Sequence, residues 1–82
     1  MMTTFTERGT TTVELTAEQV LRLPNLVWRG LVGRASVTKL HAYFGILSQV
    51  QKTNPPTSAI WIRAGECLAP IFSTLAARQS NH

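Results

Sequence analysis

Acidic residues are scarce in this sequence. Its 82 residues include four Asp and Glu against eight Lys and Arg, which gives a formal net charge of +4 at pH 7. Cysteine is scarcer still, because Cys67 is the only one, so an intrachain disulfide is excluded. A single free cysteine is typical of a reducing compartment, and we therefore expect a cytoplasmic protein.

Long apolar runs are also missing. Arg29, Arg34, Lys39 and Arg63 interrupt the apolar stretches well before the roughly 18 residues that a membrane-spanning helix requires. Residues 1–12 are rich in threonine and carry charges where a secretory leader needs an apolar segment. We therefore predict neither a membrane span nor a leader.

Groups that carry catalysis are few and scattered. Enzymes need titratable side chains that converge, and this chain offers four carboxylates, two histidines and one thiol. Cys67 and His41 could pair as nucleophile and base, but Cys67 falls among apolar positions and His41 on a polar helix face, where neither residue type is usually reactive. Metal-binding spacings and glycine-rich phosphate loops are absent from the sequence. We expect no enzyme activity, no metal and no cofactor.

The residues that are present describe a folded protein. An apolar content of 44% with 15% charged residues is typical of a globular chain, and 82 residues suffice for one small core. We predict a mostly α protein, a compact bundle of three to four short helices. Residues 1–15 would form a Thr-rich N-terminal arm or small β-hairpin, residues 16–79 the helical domain and residues 80–82 a tail. Because the core is small, we expect a homo-oligomer, with a dimer favoured.

The first two helices are short. Residues 16–19, Thr-Ala-Glu-Gln, fit a capping box that starts a helix, and Pro24 ends that helix. Its buried candidates are Val20, Leu21 and Leu23. Asn25 is then expected to cap a second helix that stops near Gly33, where a left-handed residue costs least.

The strongest helical pattern covers residues 37–52, with Ser36 as its cap. Apolar side chains recur there at helical spacing over about half of the circumference, and two prolines follow. These positions are Val37, Leu40, Tyr43, Phe44, Ile46, Leu47 and Val50. On the other half, Ala42 and Gly45 form part of a smooth strip of small residues.

The last segment has two interpretations. Apolar residues continue at helical spacing over residues 58–78, with Pro70 expected to kink or divide the helix. Alternatively, residues 59–63 form a strand that pairs with residues 12–15, and the helix begins only at Gly65. We favour the helix, because apolar residues recur at helical spacing throughout the segment.

The uneven distribution of charge is the feature that points to a function. Residues 19–65 contain six Lys and Arg and no Asp or Glu, so they should carry a positive potential that attracts phosphates, acidic protein faces or anionic lipid. Because arginine dominates, nucleic acid is the first choice of partner. The candidate contact residues are Arg22, Arg29, Arg34, Thr38, Lys39, His41, Lys52 and Arg63. We predict a small, non-enzymatic regulatory protein that binds nucleic acid.

A helix-turn-helix is one way to make that contact. Residues 33–35 would form its turn, and the start of the following helix would meet the major groove. The residues that would face the groove are Ser36, Thr38, Lys39, His41 and Ala42. Arg29, Arg34 and Lys39 occupy positions where that motif requires small or apolar residues, so the match is poor and we assign the chain to no family.

The alternative function is a small inhibitor or adaptor, of the kind that phages and plasmids encode, that binds an acidic surface of a protein partner. Ala42, Gly45 and Gln49 would then contact a helix of the partner. A third hypothesis is attachment to a membrane surface through residues 25–40, which two glycines in that stretch disfavour.

Overall fold

A computed structural model places four helices within residues 15–79. They are α1 (Ala17–Arg22), α2 (Asn25–Arg34), α3 (Val37–Lys52) and α4 (Ala59–Gln79). The structure describes residues 15–79 in full, and of residues 5–7 and 11–13 it describes the backbone alone. For this part of the chain, the prediction of a mostly α fold is confirmed.

Two three-residue strands precede the helices. β1 (Phe5–Glu7) and β2 (Thr11–Val13) pair in antiparallel fashion, with Phe5 opposite Val13. Residues 8–10, which connect the two strands, and the predicted tail at residues 80–82 lie outside the described residues. The choice between a Thr-rich arm and a small hairpin therefore stays a prediction, and so do the domain limits.

Local capping starts α1 and α3 where the sequence predicts. The Thr16 hydroxyl accepts the Gln19 amide at 3.1 Å, and the Gln19 side chain accepts the Thr16 amide at 2.8 Å, which completes the capping box of α1. At α3, the Ser36 hydroxyl accepts the Lys39 amide at 3.1 Å. The helix that follows covers residues 37–52, as predicted.

Two predictions about α2, its cap and the left-handed conformation of Gly33, are wrong. Asn25 does not cap the helix, because Pro24 holds the N-cap position and Asn25 is the first helical residue. The helix ends at Arg34, close to the predicted end near Gly33, but Gly33 itself is helical. The guanidinium of Arg78 donates to the backbone carbonyls of Gly33 at 3.1 Å and Ala35 at 2.6 Å. Since these bonds satisfy carbonyls that a helix end leaves unpaired, α2 needs no left-handed glycine there.

α4 is a single helix of 21 residues that contains Pro70. The alternative in which residues 59–63 form a strand is therefore wrong, and Pro70 does not divide the helix. Cys67 and Ile71 on either side of the proline are fully buried. This packing offsets the helical hydrogen bond that proline removes.

α3 and α4 form an antiparallel pair, and α2 runs parallel to α4. Between α3 and α4, the Gln51 side chain donates to the Trp61 carbonyl at 3.3 Å. Further along, the rings of Phe44 and Phe72 meet with centroids 5.6 Å apart. α2 lies beside α4 from Asn25, which Arg63 contacts, to Gly33, which Arg78 contacts.

The core lies where these three helices and α1 meet. Its fully buried members are Val20, Trp28, Val32, Leu40, Leu47, Ala64, Cys67 and Ile71. Trp28 is the largest of these side chains. None of the helices within residues 15–79 is both long enough and apolar enough to cross a membrane.

Candidate nucleic-acid interface

Arg63, one of the predicted contact residues, is an internal structural residue. Its side chain is only 23% exposed. The guanidinium donates to the backbone carbonyls of Leu21 at 3.0 Å and of Leu23, and also to the side chains of Asn25 and Glu66. These bonds occupy four of its five N–H donors. Arg63 caps the end of α1 and ties the α1–α2 connection to α4, so we remove it from the candidate interface.

Arg22 is exposed but partly neutralised. Its guanidinium lies 2.8 Å from the Glu18 carboxylate, one turn earlier on α1. Both side chains are exposed, so the pair contributes little to stability. Glu18 and Glu66 are the only acidic residues within residues 15–79, and they pair with Arg22 and Arg63. The remaining cations of that range have no carboxylate partner within it.

Four predicted contact residues lie close in sequence to the α2–α3 connection. Arg34 ends α2, while Thr38, Lys39 and His41 follow at the start of α3. Thr38 and His41 are exposed, and Arg34 and Lys39 line one cleft of about 350 Å³ that has leucine side chains in its wall. We call these four residues the turn cluster.

Arg29 and Lys52 lie away from the turn cluster. Arg29 and Arg34 are five positions apart, which at 3.6 residues per turn places them on opposite flanks of the buried face of α2. Arg29 instead lines a larger cleft of about 640 Å³ between α2 and α4. Lys52 is the last residue of α3, about 20 Å from Lys39 along the helix axis. The eight predicted residues therefore do not form one surface.

The connection between α2 and α3 differs from the turn that a helix-turn-helix requires. Gly33 and Arg34 are helical, and only Ala35 and Ser36 separate the two helices, whereas that motif has a turn of three or four residues. Ala42, which should face the major groove in such a motif, is buried. α3 therefore does not meet the requirements for a recognition helix of that motif.

The residues proposed to contact a partner helix are only partly accessible. Gly45 and Gln49 are exposed, and a Cβ atom at Gly45 would meet nothing within 4 Å. Ala42 is buried in the core and lies behind this surface. A partner could therefore reach two of the three residues.

Cys67 is buried, as its position in the sequence predicts. Burial raises the pKa of its thiol above the ordinary value, while Arg63 lowers that pKa and Glu66 raises it to smaller extents. His41 is exposed on α3. Within the described residues, no three His, Cys, Asp and Glu side chains come together to hold a metal ion.

The sequence analysis missed the capping roles of Arg63 and Arg78. The two residues stand 15 positions apart on α4, which is close to four helical turns and places them on nearly the same side. Both border the apolar stripe of the helix. Two arginines in that register, beside a buried face, are the signal that could have identified them as caps of neighbouring helices.

No protein-family model, curated protein or solved structure matches this chain. Bundles of short helices carry many unrelated functions, so the architecture alone does not identify an activity. The assignment of a function therefore depends on the surface residues.

Proposed function

We propose that this protein is a non-enzymatic binding protein that contacts nucleic acid through the turn cluster. The observation that carries the proposal is that Arg34 and Lys39 share one cleft without an acidic neighbour in residues 15–79. Both carboxylates of that range pair with other arginines. Cations without a carboxylate partner are the groups that neutralise phosphates in complexes with nucleic acid.

The start of α3 adds a second attraction for phosphate. α3 has 16 residues and no acidic residue in its first turn. The backbone amides at the start of a helix carry partial positive charge and bind anions. Ser36 occupies the Lys39 amide, and within residues 15–79 no group accepts from the amides of Val37 and Thr38, so these two can donate to an incoming phosphate. The exposed side chains of Thr38 and His41 lie on a different side of α3 from Lys39, where they can add hydrogen bonds to a neighbouring phosphate.

Fluorescence anisotropy of labelled duplex DNA, single-stranded DNA and RNA tests this proposal. With two or three phosphate contacts, the affinity should fall about 10- to 40-fold between roughly 50 and 200 mM salt. The absence of binding to all three probes at the lower salt concentration would reject the proposal.

Charge-removing variants locate the interface. Arg34→Gln and Lys39→Gln should each weaken binding at all sequences and reduce the salt slope by about 1. Lys52→Gln is the matched control, because it removes the same charge from the far end of α3. If Lys52→Gln weakens binding as much as Lys39→Gln does, net charge alone governs the affinity and the turn cluster is not the site.

A second candidate, an inhibitor or adaptor that binds an acidic protein surface, is favoured by the outer face of α2. Leu26 is 80% exposed and Val27 is about half exposed. Arg29 lies on one flank of this face, and Arg34 lies on the same side of the helix as Val27, two turns further along. An apolar centre with arginine at its rim is typical of protein–protein interfaces.

The Leu26→Ser variant separates the two candidates. It retains every charge, so the nucleic-acid proposal requires unchanged affinity for DNA. An acidic protein partner that buries Leu26 should lose most of its affinity, because a fully buried leucine contributes roughly 1.5 to 3 kcal/mol. A loss of protein binding with intact DNA binding would show two separate surfaces.

A further inference from the structure

α4 exposes an uncharged face along most of its length. Its residues follow the spacing 3, 4, 3, 4, and they are Ile62, Gly65, Ala69, Phe72 and Ala76. Ile62 is 50% exposed and Phe72 is 52% exposed, and both alanines are exposed as well. Arg63 and Arg78 bind the ends of α1 and α2 instead. We call these five residues the α4 stripe.

α3 widens this apolar surface. Phe44 is partly exposed and packs edge-on against Phe72. Val37, two turns earlier on α3, is also exposed. Apolar area in water is unfavourable by about 25 cal/mol per Å², and contiguous exposed patches of this kind usually mark an interface.

When two copies of the α4 stripe run in opposite directions, the large side chains of one copy lie opposite small side chains of the other. If a second copy lies antiparallel with Ala69 over Ala69, each Ile62 faces an Ala76, and each Phe72 lies within about 1.5 Å along the helix of a Gly65. A parallel arrangement would place Ile62 on Ile62 and Phe72 on Phe72, with gaps between them. A two-fold interface requires such self-complementarity, whereas an unrelated partner does not. We propose that the α4 stripe is the interface of an antiparallel homodimer with its two-fold axis at Ala69.

The charge distribution favours the same contact. Each chain carries a net charge of +4, so two copies repel each other where basic surfaces meet. The α4 stripe contains no charge. Two charged residues lie at its margin. Glu66 already pairs with Arg63 at 3.1 Å, and Arg29 of α2 lines the cleft that borders Ala69. Two copies can therefore meet along an uncharged centre, with one cation of each copy at the rim.

The length of the stripe sets the expected affinity. From Ile62 to Ala76 the helix rises about 21 Å, and the small residues allow the two axes to come within about 8 Å. A single pair of helices over this length buries less than the roughly 800 Å² per partner of a standard interface. We therefore expect a dimer with a dissociation constant in the micromolar range. The dimer does not depend on nucleic acid, so its test is independent of the proposed function.

Analytical ultracentrifugation of the whole chain, from about 5 µM to about 500 µM, measures this association. Ala69→Glu and Ala69→Lys should each raise the dissociation constant at least 10-fold, because like charges then face each other across the axis. An equimolar mixture of the two variants should regain the dimer, since glutamate then faces lysine. Gln49→Glu is the matched control, because it adds a charge at an exposed position of α3 outside the stripe. Circular dichroism verifies that each variant is folded.

Cysteine cross-linking tests the orientation. Ala69→Cys should form a disulfide-linked dimer on mild oxidation, because the two Cα atoms meet at the axis. Ala76→Cys should not, because an antiparallel arrangement places its two copies about 21 Å apart along the helices. The native Cys67 is buried in both variants. A wild-type monomer at about 500 µM, or an Ala69→Glu variant that associates like the wild type, would overturn the interface, and equal cross-linking at both positions would overturn its antiparallel orientation.

Discussion

The indole N–H of Trp28 donates a hydrogen bond of 2.8 Å to the backbone carbonyl of Cys67, across the contact between α2 and α4. Both residues are fully buried, so water cannot replace this bond. Tyr43 of α3 meets the same ring edge-on at 5.2 Å. Trp28 thus joins three helices, and its polar N–H is satisfied as burial of a tryptophan requires.

Replacement of Trp28 should therefore be costly. Trp28→Phe removes the N–H donor and leaves a cavity where the larger ring packed, so we expect the free energy of unfolding to fall by about 2 kcal/mol. Urea unfolding followed by far-UV circular dichroism measures this change. Trp61→Phe is the matched control at a half-buried site, with an expected loss below about 1 kcal/mol. Equal losses at the two sites would contradict the central position of Trp28.

Arg78 should stabilise the end of α2 through the geometry of its guanidinium. Arg78→Lys keeps the charge, but an ammonium cannot reproduce the planar fork that reaches the carbonyls of Gly33 and Ala35. We expect a loss of about 1 to 2 kcal/mol in the free energy of unfolding. Arg22→Lys, at an exposed ion pair, should change it by less than about 0.5 kcal/mol. If both substitutions have the same small effect, the cap does not depend on the fork.

Substitution of Arg63 should affect stability, whereas substitution of Arg34 should affect DNA binding. Arg63→Lys should lower stability, because it breaks the bonds to the carbonyls of Leu21 and Leu23, while the DNA affinity of the folded protein stays unchanged. Arg34→Gln should weaken DNA binding and leave stability within about 0.5 kcal/mol, since it is an exposed surface residue. Anisotropy and thermal unfolding of both variants check the pair. A loss of DNA affinity in Arg63→Lys at full folding would return Arg63 to the interface.

Gly45 should be a site where a substitution stabilises the protein. It lies within α3, and a Cβ atom there would meet nothing within 4 Å. Gly45→Ala should therefore raise the free energy of unfolding by about 0.5 to 1 kcal/mol, because alanine loses less backbone freedom in a helix. Gly65→Ala is the contrasting control, since its Cβ would lie 3.3 Å from the Gln51 side-chain nitrogen. Chemical unfolding of both variants measures the difference, and a destabilised Gly45→Ala would reveal a constraint that the packing of α3 does not show.

The fold was predictable where neighbouring residues decide the structure. Thr16 and Ser36 each accept an amide three residues later, so the starts of α1 and α3 follow from a few adjacent residues. The contact that caps the end of α2 was not predictable in this way. It depends on Arg78, which lies 45 residues beyond Gly33, and a spacing of that length leaves no local pattern.

The candidate site was harder to predict than the fold, because the sequence does not show whether a basic side chain faces water or protein carbonyls. The sequence predicts Arg63 as a binding residue, whereas the structure places it against Leu21, Leu23 and Asn25. Helical spacing does separate Arg29 from Arg34 on α2, but it does not bring Arg34 beside Lys39 of the next helix. That proximity depends on how α2 and α3 pack.

The buried thiol of Cys67 should make stability depend on pH in the alkaline range. Burial raises its pKa above the ordinary value, so the folded state keeps the proton at a pH where the unfolded chain has released it. Stability falls with rising pH wherever the folded state binds more protons than the unfolded state. The decline should begin near the ordinary cysteine pKa of about 8.5 and continue toward the raised value. Cys67→Ala lacks this titration but shares every other ionisable group. The difference in unfolding free energy between the wild type and this variant should therefore shrink between about pH 7 and pH 10, because only the wild type loses stability through the thiol. Parallel pH curves for the two proteins would mean that the thiol ionises equally in both states.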